Sequence, residues 1–267
     1  RGTDAGFGKD SFLKKRPPGW GRLSNEHMPK IKDIEALEIF DATGWPALEV
    51  EVRLDSGLRA RASVPNGEEG VRHGIFELHD NDEKRYSGRG VRQAIAKINE
   101  VIAPAISGSK VEDQEGLDKR LIGLDGTPDK RNLGGNSVAA VSLACARAGA
   151  AASGQELFRY LEKTYRFSGT HPEKPRPIFN IFNGGRYADT NLDFQEILLI
   201  PKPGKMADMV RQGVETFHEL GRVLAESGYD TDTGSEGGYA PDLDSSLEAL
   251  ELIMAASLRA GYEPGRD

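Results

Sequence analysis

Cysteine is nearly missing from this chain: Cys145 stands alone among 267 residues. One thiol excludes an internal disulfide framework and suits a reducing cytoplasm. Long apolar runs are missing as well. No stretch approaches the ~20 consecutive apolar residues of a membrane helix, and no signal-peptide pattern opens the sequence. Basic charge is in deficit, with 35 Lys and Arg against 42 Asp and Glu and a formal charge of −7. That balance argues against a general nucleic-acid binder. There is no Walker A loop, no dinucleotide G-x-G-x-x-G fingerprint and no His/Cys cluster with zinc spacing. No serine lies in a G-x-S-x-G elbow, and no two of His27, His73, His79, His171 and His218 are four residues apart. Internal repeats, heptads and low-complexity tracts are absent too. What remains is 37% apolar and 29% charged, a composition that builds a packed core of one large domain or two ordinary ones.

The two ends differ from the body. Residues 1–27 carry a charge of +3, which leaves −10 for the rest, and Gly2, Gly6, Gly8, Pro17, Pro18, Gly19 and Gly21 interrupt any period. This segment reads either as a solvated tail or as non-native sequence ahead of a natural start at Met28. At the other end, residues 259–267 stop just after an apparent helix terminus, where a further strand is expected. The chain therefore reads as an N-terminal fragment.

Between these ends, Leu48, Val50, Val52 and Leu54 alternate with Glu49, Glu51 and Arg53, the period of a half-buried strand. Asp55-Ser56-Gly57 makes a turn, and the alternation resumes from Leu58 to Val64. With Ile34–Phe40 these segments predict a three-stranded antiparallel meander. Val91, Ile95, Ile98 and Ile102 share one helical face, and Leu117, Leu121 and Leu124 mark a second helix that ends at Asp125-Gly126. Ser137–Ala152 holds eight alanines in sixteen residues and predicts a helix closely packed by its neighbours, with Cys145 as a small buried apolar residue. After about residue 165, Pro177–Asn183 and Phe194–Ile200 read as short buried strands. Met209, Val210, Val214, Phe217, Gly221 and Leu224 trace one long helix, and Leu247, Leu250, Met254 and Leu258 trace another. Strands alternating with long helices point to a parallel α/β architecture. A (β/α)8 barrel needs ~250 residues, so residues 166–267 hold at most its first part. The expected organisation is a tail over 1–27, an α+β cap over 28–165 and the start of a barrel over 166–267.

Three stretches could carry chemistry. The loop Val64-Pro-Asn-Gly-Glu-Glu-Gly-Val-Arg-His73 offers Glu68 and Glu69 to a metal or a cation, or is an ordinary charged surface loop. Phe182-Asn-Gly-Gly-Arg-Tyr-Ala-Asp-Thr-Asn191 begins with a turn signal. It is followed by Gln195 and Glu196 inside an apolar run, where a carboxylate is expected to be buried and hence paired or functional. Thr233-Gly-Ser-Glu-Gly-Gly-Tyr-Ala-Pro241 presents Glu236 between glycines. Two carboxylates beside glycine loops at strand ends suggest proton transfer.

Those stretches, in that order, resemble the enolase (phosphopyruvate hydratase) family. The matching pieces are Glu38-Ile-Phe-Asp-Ala-Thr-Gly-Trp-Pro46, Asp80-Asn-Asp-Glu-Lys-Arg-Tyr-Ser-Gly-Arg-Gly-Val91, Ile102-Ala-Pro-Ala105 and Asp125-Gly-Thr127. They continue with Gly135-Asn-Ser-Val-Ala-Ala-Val-Ser-Leu-Ala144, Asn180-Ile-Phe-Asn-Gly-Gly185, Phe194-Gln-Glu196 and Glu236-Gly-Gly-Tyr-Ala-Pro241.

The resemblance implies an α+β cap followed by the first part of an enolase-type barrel. It implies proton removal beside a carboxylate and loss of a leaving group from the next carbon, giving an enolpyruvate. Magnesium ions stabilise the ene-diolate in this superfamily, a lysine is the base and a glutamate assists the leaving group. By position Glu236 matches that assisting glutamate, Glu196 the glutamate that holds substrate, and Gln195 its neighbour. No metal ligand is assigned here, because the metal carboxylates and the lysine are expected beyond Asp267. A small phosphorylated substrate and, for a full-length chain, a homodimer are likewise implied, and the 267-residue chain alone is expected to be inactive.

The departures from the family pattern are specific. Glu69 replaces a serine that helps ligate the second magnesium, Tyr187 replaces a histidine, and Arg186 replaces the serine before it. Thr43 stands where the family has an arginine, and Ser235 precedes Glu236 in place of an aspartate. Exchanging imidazole for phenol and hydroxyl for carboxylate alters the proton inventory around the substrate. The sequence thus suggests a specialised relative forming a phosphoenolpyruvate-type product, such as the carboxyphosphonoenolpyruvate synthase of phosphinothricin biosynthesis. In that reading Arg186 meets an additional acidic group. An ordinary glycolytic enolase and a non-catalytic relative stay open as alternatives.

Overall fold

The computed structural model describes residues 28–67, 74–166 and 175–267. They divide into two compact units, with the boundary between residues 169 and 170.

In the first unit β1 (Ile31–Phe40), β2 (Pro46–Leu54) and β3 (Arg59–Val64) form the predicted antiparallel meander in the order β1-β2-β3. Val50 lies opposite Ala36 and Ala62, so the apolar positions of all three strands coincide on one face. The opposite face is charged. There Glu51 is 6% exposed, and the guanidinium groups of Arg53 and Arg61 donate to it at 2.6 and 2.7 Å. These bonds hold its carboxyl below the usual range. The turn after β1 is organised by Asp41, whose carboxylate accepts from the Thr43 and Trp45 N–H groups and, across the sheet end, from Asn66 N–H.

The helical segment that follows runs as α1 (Arg92–Lys97), a wide π turn (Ile98–Ile102) and α2 (Ala103–Ile106). Its buried residues are Ala94, Ile98, Ile102 and Ile106. A strict four-residue spacing would drift around a helix of 3.6 residues per turn, and the wider turn keeps it on one face. α3 (Gln114–Asp125) is capped at its start by Asp113, which accepts from Gly116 N–H at 3.1 Å, and is closed by Gly126 at φ 72°. Its inward stripe departs from the expectation at Leu124, which is 36% exposed, whereas Asp125 is 2% exposed. That carboxylate is tolerated inside because it accepts from the N–H groups of Thr127, Asn132 and Leu133 at 2.8–3.1 Å.

α4 (Gly135–Ala152) is the alanine-rich helix, and α5 (Leu157–Tyr165) packs on it closely. A Cβ at Gly149 would lie 2.5 Å from the Tyr160 hydroxyl and 2.8 Å from the Val111 carbonyl. That hydroxyl donates to the carbonyls of Val111 and Glu112. Cys145 is fully buried, and burial pushes its thiol up to about 12.

In the second unit β4 (Phe179–Asn183) and β5 (Glu196–Leu199) pair antiparallel, and Phe182 bridges Tyr239 in parallel on the other side of β4. The sequence pointed to parallel strands here. The difference is topological: residues 184–195 form a loop without the crossover helix that parallel neighbours need. Among the described residues the barrel is not closed. β5 is also less buried than expected, with Leu198 at 45% and the flanking Phe194 and Ile200 at 63% and 49% exposure.

α6 (Met206–Glu226) and α7 (Ser246–Arg259) are present as predicted. α7 is started by the Ser245 hydroxyl, which accepts from Glu248 N–H. The apolar pattern marks the inner face of α6 in part, through Met209, Phe217 and Leu224, and misses that of α7. α6 buries Met209, Leu220, Val223 and Leu224 but leaves Val210 and Val214 exposed. α7 turns Ala249, Ala256 and Ser257 inward and exposes Leu247, Leu250, Met254 and Leu258. Among the described residues no helix is long and apolar enough to cross a membrane.

Candidate active site at the end of β4

The loops that follow β4 and precede the 239 bridge are joined at the carboxyl end of that strand. Asn183, the last residue of β4, donates its N–H to the Tyr239 carbonyl and stands opposite Glu196 in the β4–β5 ladder. Gly184 N–H donates to the Gln195 carbonyl at 2.9 Å, and residues Gly185–Tyr187 form a single 3-10 turn. On the other side Gly234 N–H donates to the Gly238 carbonyl at 2.8 Å, closing a tight turn that carries Ser235 and Glu236. The two loops meet through Tyr187, whose carbonyl accepts from Ser235 N–H at 3.0 Å and from the Ser235 hydroxyl at 3.2 Å.

The structure thus gathers Arg186, Tyr187, Gln195, Glu196 and Glu236 around one strand end. The segments carrying the two glutamates flank β4 on opposite sides, two strand spacings or ~10 Å apart. The side chains are more open than the sequence implied. Glu196 is half-buried rather than buried, because β5 begins at the mouth and is covered only in part. Arg186, Gln195 and Glu236 are exposed, and Tyr187 is half-buried. Glu196 therefore has no full burial that demands a partner, and its position at the strand end is what marks it. Glu69 lies outside the described residues, as do Glu68 and His73.

Two residues were overlooked. Asn183, read as the end of a buried strand and the start of a turn but given no role, is fully buried, and its Oδ1 accepts from Gly238 N–H at 2.8 Å. Asn180 donates through Nδ2 to the Glu236 carbonyl at 3.3 Å. The signal available in the sequence was an amide side chain twice within an apolar strand, which has to find partners inside. Space is tight where they meet the loop. A Cβ at Gly238 would lie 2.8 Å from the Phe182 carbonyl carbon and 2.9 Å from Asn183 N. Behind the loop Tyr239 stacks on Phe217 with ring centres 4.5 Å apart, and burial raises its phenol above the ordinary value.

Among the described residues no three His, Cys, Asp or Glu side chains converge where they could hold a metal ion. Glu196 and Glu236 come from opposite flanks of β4 and do not form a magnesium cage by themselves.

The chain thus combines an α+β unit with an α/β unit whose polar loops gather at a strand end. Comparison with family profiles gives the particular membership. Residues 31–161 match the enolase N-terminal domain and residues 173–266 match the enolase C-terminal TIM barrel domain. The chain belongs to the enolase family.

Proposed function

We propose that this chain serves a specialised enolase-type reaction, forming a phosphoenolpyruvate-type product from a small phosphoglycerate-type substrate. A base removes the proton beside the substrate carboxylate. The electron pair left on that carbon forms the new double bond as the neighbouring carbon–oxygen bond breaks. Glu236, in its protonated form, gives its proton to the departing oxygen, and Glu196 holds substrate from the β5 side with Gln195 beside it. The family relationship supports magnesium dependence, and a homodimeric assembly is part of the same proposal.

The observation that carries the specialised reading is the bond between the two loops. Ser235, next to Glu236, is fastened to the backbone of Tyr187. The changed pair Arg186-Tyr187 therefore adjoins the retained acid. A guanidinium and a phenol there favour a reactant with a further acidic group over the unmodified substrate. Carboxyphosphonoenolpyruvate synthesis, with phosphonoformate as that group, is the reaction we favour.

The test is turnover with magnesium by a natural form of the chain that carries the lysine base and the metal carboxylates. Product is expected when a phosphonoformate-bearing reactant is supplied. Dehydration of 2-phosphoglycerate without it would restore the glycolytic reading, and no turnover in either case would favour a non-catalytic relative. Replacing Glu236→Gln is expected to lower kcat at least ~10²-fold, and full activity of that variant would overturn its role.

A further inference from the structure

We infer that Asn180 and Asn183 are positioning residues that fix Glu236 through the backbone of residues 236–238. The inference rests on the reading of Glu236 as the assisting acid. The turn that carries Glu236 is already closed by its own bonds, Gly234 N–H to the Gly238 carbonyl and Gly237 N–H to the Gly234 carbonyl. The asparagines add nothing to that closure. They tie the closed turn to β4 at two points, the Glu236 carbonyl held by Asn180 Nδ2 and the Gly238 N–H held by Asn183 Oδ1.

The amide orientations follow from these bonds, because either flip would set donor against donor or acceptor against acceptor. Each amide is only half used: Asn180 Oδ1 and Asn183 Nδ2 are buried without a hydrogen-bond partner. Leaving a buried polar atom unmatched is costly, so a strand selected for stability alone would place apolar side chains here. The absence of a Cβ at Gly238 lets the turn sit against β4, with Asn180 Oδ1 only 2.7 Å from where that carbon would be. Ser235 fastens the near side of the same turn to Tyr187. Glu236 thus stands at the tip of a loop that the Tyr239 backbone joins to β4 and that two strand amides hold at residues 236 and 238.

The test combines hydrogen exchange with steady-state kinetics on the same purified chains. In Asn183→Ala, exchange is expected to accelerate within residues 234–240 while α6 and α7 stay protected. Where the protein turns over substrate, kcat should fall about a hundredfold with KM changed less than about twofold, as for misplacement of a reacting group. Asn183→Asp keeps the acceptor for Gly238 N–H and should recover slow exchange and most of kcat. Should Asn183→Ala fail to fold, Asn180→Ala on the half-buried residue gives the same reading, with a loss of about tenfold. Unchanged exchange within 234–240 in a folded Asn180→Ala protein would overturn the clamp. So would a loss of thermal stability with kcat intact. By contrast, accelerated exchange together with a fully active Glu236→Gln enzyme would show that the clamp exists and that the acid is misassigned.

Discussion

Among the described residues, twenty-three buried side chains of the first unit form one apolar cluster between the meander and its helices, whereas the main cluster of the second unit has ten. The difference does not come from a shortage of apolar residues. α7 alone exposes Leu247, Leu250, Met254 and Leu258, each between 48% and 64%. This stripe borders a groove between β5, α6 and α7 that is lined by Leu199, Ile253 and Met254. An amphipathic period states which residues would be buried together; a neighbouring surface decides whether they are. The meander meets α1, α2 and α4 within its own unit, while among the described residues the second unit offers its helices a two-stranded sheet and two bridges.

This contrast can be broken by substitution and by acid. Leu121 is fully buried in α3, and Leu121→Ala should cost about 3 kcal/mol, measured by urea unfolding through Trp45 fluorescence. A cost below about 1 kcal/mol would mean that the first core is looser than its burial implies.

Acid should act next most strongly, and again on the first unit. For Glu38, burial raises the pKa but Arg85 and Val91 N–H outweigh it, leaving it below 4.5. For Asp125, burial likewise raises it and Thr127 and Leu133 N–H bring it below 3.8. Arg53 and Arg61 lower Glu51 below 4.5. Depressed carboxylates contribute stability that is complete above their unfolded values and is lost as pH falls through the folded ones. In the second unit Glu226 is the only carboxylate lowered in this way among the described residues, and its partner Arg259 leaves it 61% exposed. Exposed pairs add little. Hydrogen exchange between about pH 5 and pH 3 should therefore show protection lost first in β1–β3 and α3. Earlier loss in α6 and α7 would reverse the comparison. The smallest effect is expected for Leu250→Ser, within about 0.5 kcal/mol by thermal unfolding, since that side chain is 48% exposed. A large destabilisation there would show that the stripe is covered.

Legibility follows the same division. The meander could be read because its period of two matches a sheet with one charged and one apolar face, and α4 because alanine at that density admits close neighbours. Leu124 misled because an apolar period cannot reveal that Asp125, one residue on, has three backbone donors waiting inside. The antiparallel β4–β5 pair was hidden because two short apolar runs carry no direction; the loop between them decides it. At the site, the glycine turn around Glu236 was visible as a motif. The amides of Asn180 and Asn183 were not, since their partners lie more than fifty residues away in the chain.

The position of the single thiol has a practical consequence. Cys145 is enclosed in α4 with no exposed surface, and a thiol reagent reaches it only when the helices around it part. The speed at which such a reagent labels the unaltered protein is therefore a built-in clock for opening of the first unit.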